Sequence, residues 1–178
     1  PMAHPIRPDA FIEINNFYTA TVYEKGAEVV GMICTLLGAE QFRAGSDLYF
    51  DRHDGHAVTT EDFVKAMEDA NGVDLSQFRV WYRQAGTPVL DVTGDYDKSA
   101  KTFTLNVAQS CPATPGQEDK DDYHLPLKIG LLDHEGNDIR FPVMDLDVAN
   151  IDDTAGFSAV LNVSEKEQKY VFRGIESA

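Results

Sequence analysis

A chain of 178 residues with 43% hydrophobic content can bury one large core or two small ones, and is too apolar for wholesale disorder. Its 30 acidic residues against 15 basic give a formal net charge of -15, which repels nucleic-acid phosphates and anionic lipid and sets both partners aside. No apolar run approaches the ~20 residues of a membrane span.

The apolar spacing is helical up to about Gly86. Val29, Val30, Ile33, Leu36 and Leu37 recur at i, i+1, i+4, i+7 and i+8, which predicts a helix with one apolar face, and Gly38 offers its stop. A second helix is predicted over about Ala39 to Arg52, ending in the polar turn Asp51-Arg52-His53-Asp54-Gly55. Thr59 or Thr60 can cap a third, with Phe63, Val64, Met67 and Ala70 as its buried stripe and Asn71-Gly72 as its end. Leu75, Phe78, Trp81 and Tyr82 give a fourth stripe, which closes at Ala85-Gly86.

From Thr87 the period becomes two. Phe103, Leu105 and Val107 alternate with Thr102, Thr104 and Asn106, the pattern of a half-buried strand. Leu125, Leu127, Ile129 and Leu131 alternate similarly, as do Ile139, Phe141 and Val143, with a turn between these two runs at Asp133–Asp138. Leu90–Val92, Phe157–Val163 and Tyr170–Phe172 complete about six short strands, with Asp95-Tyr96-Asp97 read as a turn and Cys111–Asp122 as a long loop. The expected architecture is α+β: a helical segment over 1–86, then a small antiparallel β-sandwich over 87–178.

Several clusters carry ligand-type residues without the spacing that chemistry needs. His134-Glu135 begins like HExxH, but the fifth residue is Asp138, and Gly136-Asn137 calls for a hairpin tip rather than a helix. His53 and His56 lack a distant third ligand and read as a solvated turn. Asp145-Leu146-Asp147 with Asp152-Asp153 offers hard oxygens without EF-hand spacing, and reads as an acidic surface loop. Cys34 and Cys111, one in an apolar helical stretch and one in a Pro-rich loop, are most simply free thiols, for which a reducing, cytoplasmic compartment is expected.

The most specific stretch is Tyr23-Glu24-Lys25-Gly26-Ala27-Glu28-Val29, read with Asn15-Asn16-Phe17-Tyr18-Thr19 ahead of it. With His4-Pro5-Ile6-Arg7-Pro8, Gly45-Ser46-Asp47-Leu48-Tyr49-Phe50, Asp62-Phe63-Val64, Met67-Glu68-Asp69-Ala70 and Gly86-Thr87-Pro88, it resembles the aminopeptidase N family of gluzincin zinc aminopeptidases. The similarity in order and spacing runs from Pro1 to about Leu132 and thins after that. Gly31 departs from it, standing where relatives carry a larger polar residue, and Met144–Asp153 has no clear counterpart.

The resemblance implies that 1–86 is the helical end of a thermolysin-like catalytic domain, followed by the family's small β-sandwich. It implies that Tyr23 is the tyrosine that stabilises the transition state of peptide hydrolysis, and that Tyr18 lines the pocket for the substrate's first side chain. Glu24 and Lys25 match the motif but are read as solvated surface. The parent enzyme would use zinc and act on peptide substrates. This sequence contains no HExxH, so neither a metal site nor a zinc cofactor is expected in this chain. The start at Pro1, with Met2 behind it, leads us to expect an excised fragment, inactive alone, which self-associates through the face that truncation exposes. The alternative is a non-catalytic acidic module whose β-sandwich binds a protein or calcium.

Overall fold

Four helices in the first half of the chain are set by their apolar periodicity and their caps. The computed structural model describes residues 4–141, 148–150 and 156–176. They divide into two compact units, Pro1–Thr87 with Pro112–Asp121, and Pro88–Cys111 with Asp122–Ala178.

In the first unit, α1 (Gly26–Leu37) buries Val29, Ile33 and Leu36 and ends at Gly38, whose φ of 83° suits glycine. Next, α2 (Ala39–His53) follows a one-residue break at Gly38, and α3 (Thr60–Asn71) packs on it. Thr59 is the cap of α3: its backbone and side chain both donate to the Asp62 carboxylate at 2.8 Å, while its side chain accepts from the third helical N–H. That donation holds the Asp62 carboxyl below the usual range. The buried stripe of α3 is Val64, Ala66 and Met67, and Ala70, expected inside, is exposed. Gly45 of α2 sits where an added Cβ would fall 2.3 Å from the Met67 sulfur, so the two helices meet at a glycine. A 3₁₀ turn (Gln77–Arg79) leads into the short α4 (Val80–Arg83), which buries Val80, Trp81 and Tyr82.

The long Pro-rich loop belongs to this helical unit. Gln117 accepts from the Ala85 N–H at 2.7 Å, and the Gln84 side chain pairs with both backbone groups of Asp121, at 2.8 and 3.0 Å. A loop rich in Pro, Gly and acids makes little backbone structure of its own, and here two glutamines supply the missing hydrogen bonds.

The second unit holds two antiparallel sheets, with strand orders β1-β2-β7 and β4-β3-β6-β5. The strands are β1 (Val89–Asp97), β2 (Thr102–Ser110), β3 (Leu125–Leu132), β4 (Asp138–Ile139), β5 (Val148–Asn150), β6 (Ser158–Val163) and β7 (Glu167–Arg173). Seven strands are thus described where about six were expected. Leu125, Leu161 and Val163 bury one face, with Val107, Tyr170 and Phe172 buried in the other sheet and Phe141 edge-on to Phe172 at 5.1 Å.

Three expectations need correction. Asp95-Tyr96-Asp97 is not a turn but the end of β1, paired with Thr104, Phe103 and Thr102; the turn comes later, where Asp97 accepts from the N–H groups of Ser99 and Ala100. The strand expected through Ile139, Phe141 and Val143 is only Asp138–Ile139, with Phe141 buried beyond its end and Val143 outside the described residues. Finally, β5 emerges at Val148–Asn150, in a stretch with no sequence counterpart to guide it.

Gly31 lies exposed inside α1, and an added Cβ would meet nothing within 4 Å. Gly31→Ala should therefore stabilise the protein by about 0.5–1 kcal/mol, read as a higher urea midpoint at unchanged slope. Glu68 of α3, its side chain 12% exposed, is paired with Arg79. The Arg79 hydrogen bonds, with the Leu75 N–H, hold its carboxyl below the ordinary value of 4.5. A depressed carboxyl stabilises the fold above its unfolded pKa and loses that contribution as pH falls through the folded one. Glu68→Gln should cost about 1.5–3 kcal/mol at neutral pH, and the gap to wild type should close below pH 4.5 in denaturant titrations.

Candidate active site

The segment carrying both singled-out tyrosines is built by short-range hydrogen bonds before any packing is considered. A 3₁₀ turn, Ile14–Phe17, is closed by the Asn16 side chain, which accepts from the N–H groups of Ile12 and Glu13 at 3.0 and 3.1 Å. Thr19 then starts the next helix: its Oγ1 accepts from the Val22 N–H at 3.2 Å, and its carbonyl accepts from the Tyr23 N–H at 3.0 Å. His4 Nε2 lies 3.2 Å from the same Thr19 hydroxyl.

The helix does not begin as an α-helix. Thr21–Lys25 form a π-helical turn that runs into α1 at Gly26. Such single wide turns are rare and concentrate at functional sites, because the extra residue rotates the preceding side chains off the helix's buried stripe. Here Thr21 is buried while Tyr23 stays 57% exposed. Tyr18, 67% exposed, stacks on it with ring centroids 6.1 Å apart and planes 19° from parallel. The two expected site residues therefore stand side by side on one open surface, with the Tyr23 ring oriented by its neighbour.

Lys25 corrects an expectation. Glu24 is exposed as anticipated, but Lys25 is half-buried: its ammonium donates to the Gly86 carbonyl at 2.5 Å and lies 5.6 Å from the centroid of the Trp81 ring. Lys25, Thr19 and His4 all fall in the stretches that carry the resemblance, but nothing in the sequence assigned any of them a role.

Beside the tyrosines an apolar cleft of about 580 Å³ opens in the helical unit, lined by Ile6, Phe17, Val22, Val30, Phe63 and Tyr82 among others. Burial first, and then the nearby Glu61 carboxylate, push the Tyr82 hydroxyl up to about 12, so it stays protonated. Phe11, Ile12 and Ile14 are exposed at 55%, 98% and 64%, and the Phe11 ring lies 4.5 Å from that of Phe17 on the cleft wall. Three large apolar side chains in one short run form the kind of patch that soluble surfaces usually cover.

Among the described residues the remaining candidates come together in no site. His134 and Glu135 sit exposed on a hairpin tip between β3 and β4, where the Asp133 carboxylate accepts from the N–H groups of Glu135 and Asn137 at 2.9 Å. His53 packs its ring against Tyr49. Among the described residues no group of three or more His, Cys, Asp or Glu could hold a metal ion, and the described residues do not fit zinc. Asp145, Asp147, Asp152 and Asp153 lie outside the described residues. Cys34 and Cys111 are not joined in a disulfide, and among the described residues no helix is long and apolar enough to cross a membrane.

Residues 1–82 match the peptidase family M1 domain, and residues 86–178 match a domain of unknown function (DUF3458) with an Ig-like fold. Aminopeptidase N of Escherichia coli is 53% identical over 175 residues, which cover 98% of this chain and 19% of that protein. Aminopeptidase N of Haemophilus influenzae is 49% identical over the same shares, 98% and 19%. Among solved structures, Legionella pneumophila aminopeptidase A in complex with aspartic acid superposes with a TM-score of 0.80 at 27% identity, covering 99% of this chain and 18% of that one. The chain thus spans about a fifth of the length of these relatives. A tyrosine-bearing helical part that matches the peptidase domain, followed by the Ig-like sandwich, places this chain in the aminopeptidase N family of M1 peptidases.

Proposed function

We propose that this chain is one part of a zinc-dependent aminopeptidase that releases N-terminal amino acids from peptides, and that Tyr23 is its oxyanion donor. The observation that carries the reading is the open, stacked placement of Tyr23 on a π turn, within a segment so similar to aminopeptidase N. A tyrosine hydroxyl is an O–H donor that stays protonated near neutral pH. Aimed at the carbonyl oxygen of the bond being cleaved, it gives a hydrogen bond that strengthens as negative charge develops there. Tyr18, stacked on it, would form an aromatic wall for the substrate's first side chain and limit the swing of the Tyr23 ring.

In this reading residues 1–86 belong to the catalytic domain and 87–178 form the sandwich that follows it. Among the described residues none fits zinc, so no step performed by these residues runs through the metal. The exposed Phe11, Ile12 and Ile14 would be covered by another part of the complete enzyme, or by a second copy when this chain is alone. Two cysteines outside any disulfide suit a cytoplasmic setting.

In the complete enzyme, Tyr23→Phe should lower kcat by about 10²–10³-fold with KM little changed, since the lost hydrogen bond matters in the transition state rather than in substrate binding. Wild-type turnover by this variant would overturn the assignment. The purified chain alone should neither hydrolyse an alanyl chromogenic amide nor bind zinc stoichiometrically. Chelator-sensitive turnover that scales with protein would mean that the chain holds a metal site of its own.

A further inference from the structure

We infer that Lys25 is a positioning residue for Tyr23, a strut that fixes the π turn through Trp81 and Gly86; the inference rests on Tyr23 being the oxyanion donor. Lys25 occupies the last position of that turn, two residues after Tyr23. Its side chain crosses to α4 and its end, where the ammonium donates to the Gly86 carbonyl and lies over the face of Trp81. Both partners are buried, and Gly86 adopts a φ of 91° that glycine accommodates without strain. A lysine is normally free to keep its charged head in water. Here the part-buried ammonium meets a carbonyl lone pair and a ring quadrupole from one corner of the unit.

The need for such a strut follows from the turn itself. A π turn is rare and occurs mostly as a single turn within an α-helix, so the α form, one residue tighter, is the arrangement that the anchors of Thr21–Lys25 must exclude. Adopting that form would rotate Tyr23 relative to α1 and carry its hydroxyl away from its present direction. Thr19 holds the front of the turn through the Val22 N–H. Lys25 holds the back by a side-chain anchor 61 positions away in sequence. Between these two points Tyr23 is the exposed aromatic side chain, and its direction is set there.

The test is a double-mutant cycle in the complete enzyme that carries this segment. Lys25→Met keeps the aliphatic stem and removes the ammonium; it is expected to lower kcat about tenfold or more with KM within about twofold and zinc content unchanged. Lys25→Arg, which retains a cation over Trp81, should stay within about threefold of wild type. On a Tyr23→Phe background, Lys25→Met should cost less than about twofold further, because its effect is transmitted through the hydroxyl already removed. Wild-type kcat for Lys25→Met, or an equal loss with and without the Tyr23 hydroxyl, would overturn the inference. If Tyr23→Phe alone is fully active, the oxyanion reading fails and the strut fails with it, which sets that outcome apart from a failure of Lys25 alone. Should Lys25→Met fold poorly, Lys25→Gln in the same cycle decides by the same criteria.

Discussion

Arg79 sets a planar guanidinium, its side chain 22% exposed, between two glutamates of α3. Its Nε donates to Glu61 at 2.7 Å, while Nη1 and Nη2 donate to the two oxygens of Glu68 at 2.7 and 3.1 Å. A fork of this kind fixes orientation as well as distance, since two parallel hydrogen bonds tolerate little rotation. Glu68 also accepts from the Leu75 N–H at 2.9 Å, so one carboxylate ties the loop after α3 and the start of the next turn to the same helix. Arg7 reaches Glu61 as well, at 3.3 Å, which brings the incoming N-terminal strand of chain to that corner. The same fork adjoins α4, whose Trp81, with Gly86 three residues beyond its end, meets Lys25.

Such a partly buried network contributes less to net stability than its geometry suggests, because each charge was well solvated before folding. Its value is in specification. The 3₁₀ turn and α4 together span Gln77–Arg83, too short to form a helix unaided. Phe78, Val80, Trp81 and Tyr82 are buried almost completely, and they supply the cohesion, but apolar packing alone permits several rotations of so short an element. Arg79 selects one. The π turn at Tyr23 is likewise flanked by side-chain anchors, Thr19 in front and Lys25 behind.

Most of the helical unit was legible from spacing. The stripe of α1, the stop at Gly38, the capping box at Thr59 and Asp62, and the left-handed Gly72 all act through neighbours in sequence, where a single chain can be read. The misreadings occur where partners are distant. Ala70 continues the i, i+3 series from Val64 and Met67, but α3 turns Ala66 instead toward its contact side, where Gly45 lets the helices approach closely. Asp95-Tyr96-Asp97 looks like a turn because its acids are polar and turn-prone. Its strand character comes from the ladder with β2 and from the Tyr96 hydroxyl donating to the Ile175 carbonyl at 3.0 Å, far along the chain. The tyrosine motif was legible as a pattern, yet nothing in it announced the π turn or the reach of Lys25, since both depend on residues near position 81 and beyond.

On the proposed reading, one physical requirement remains to be met from outside this chain. A hydrogen-bond donor stabilises developing charge most where water is excluded and the local dielectric is low. Tyr23 and Tyr18 are more than half exposed here, so in this chain alone the hydroxyl competes with solvent and its contribution is damped. The apolar run of Phe11, Ile12 and Ile14 and the neighbouring cleft provide surface for a covering body that would dry the site as it docked. The division of labour is then a physical one. This segment fixes where the donor points, by a π turn clamped at Thr19 and Lys25, and the covering part supplies the environment in which that direction acquires catalytic weight.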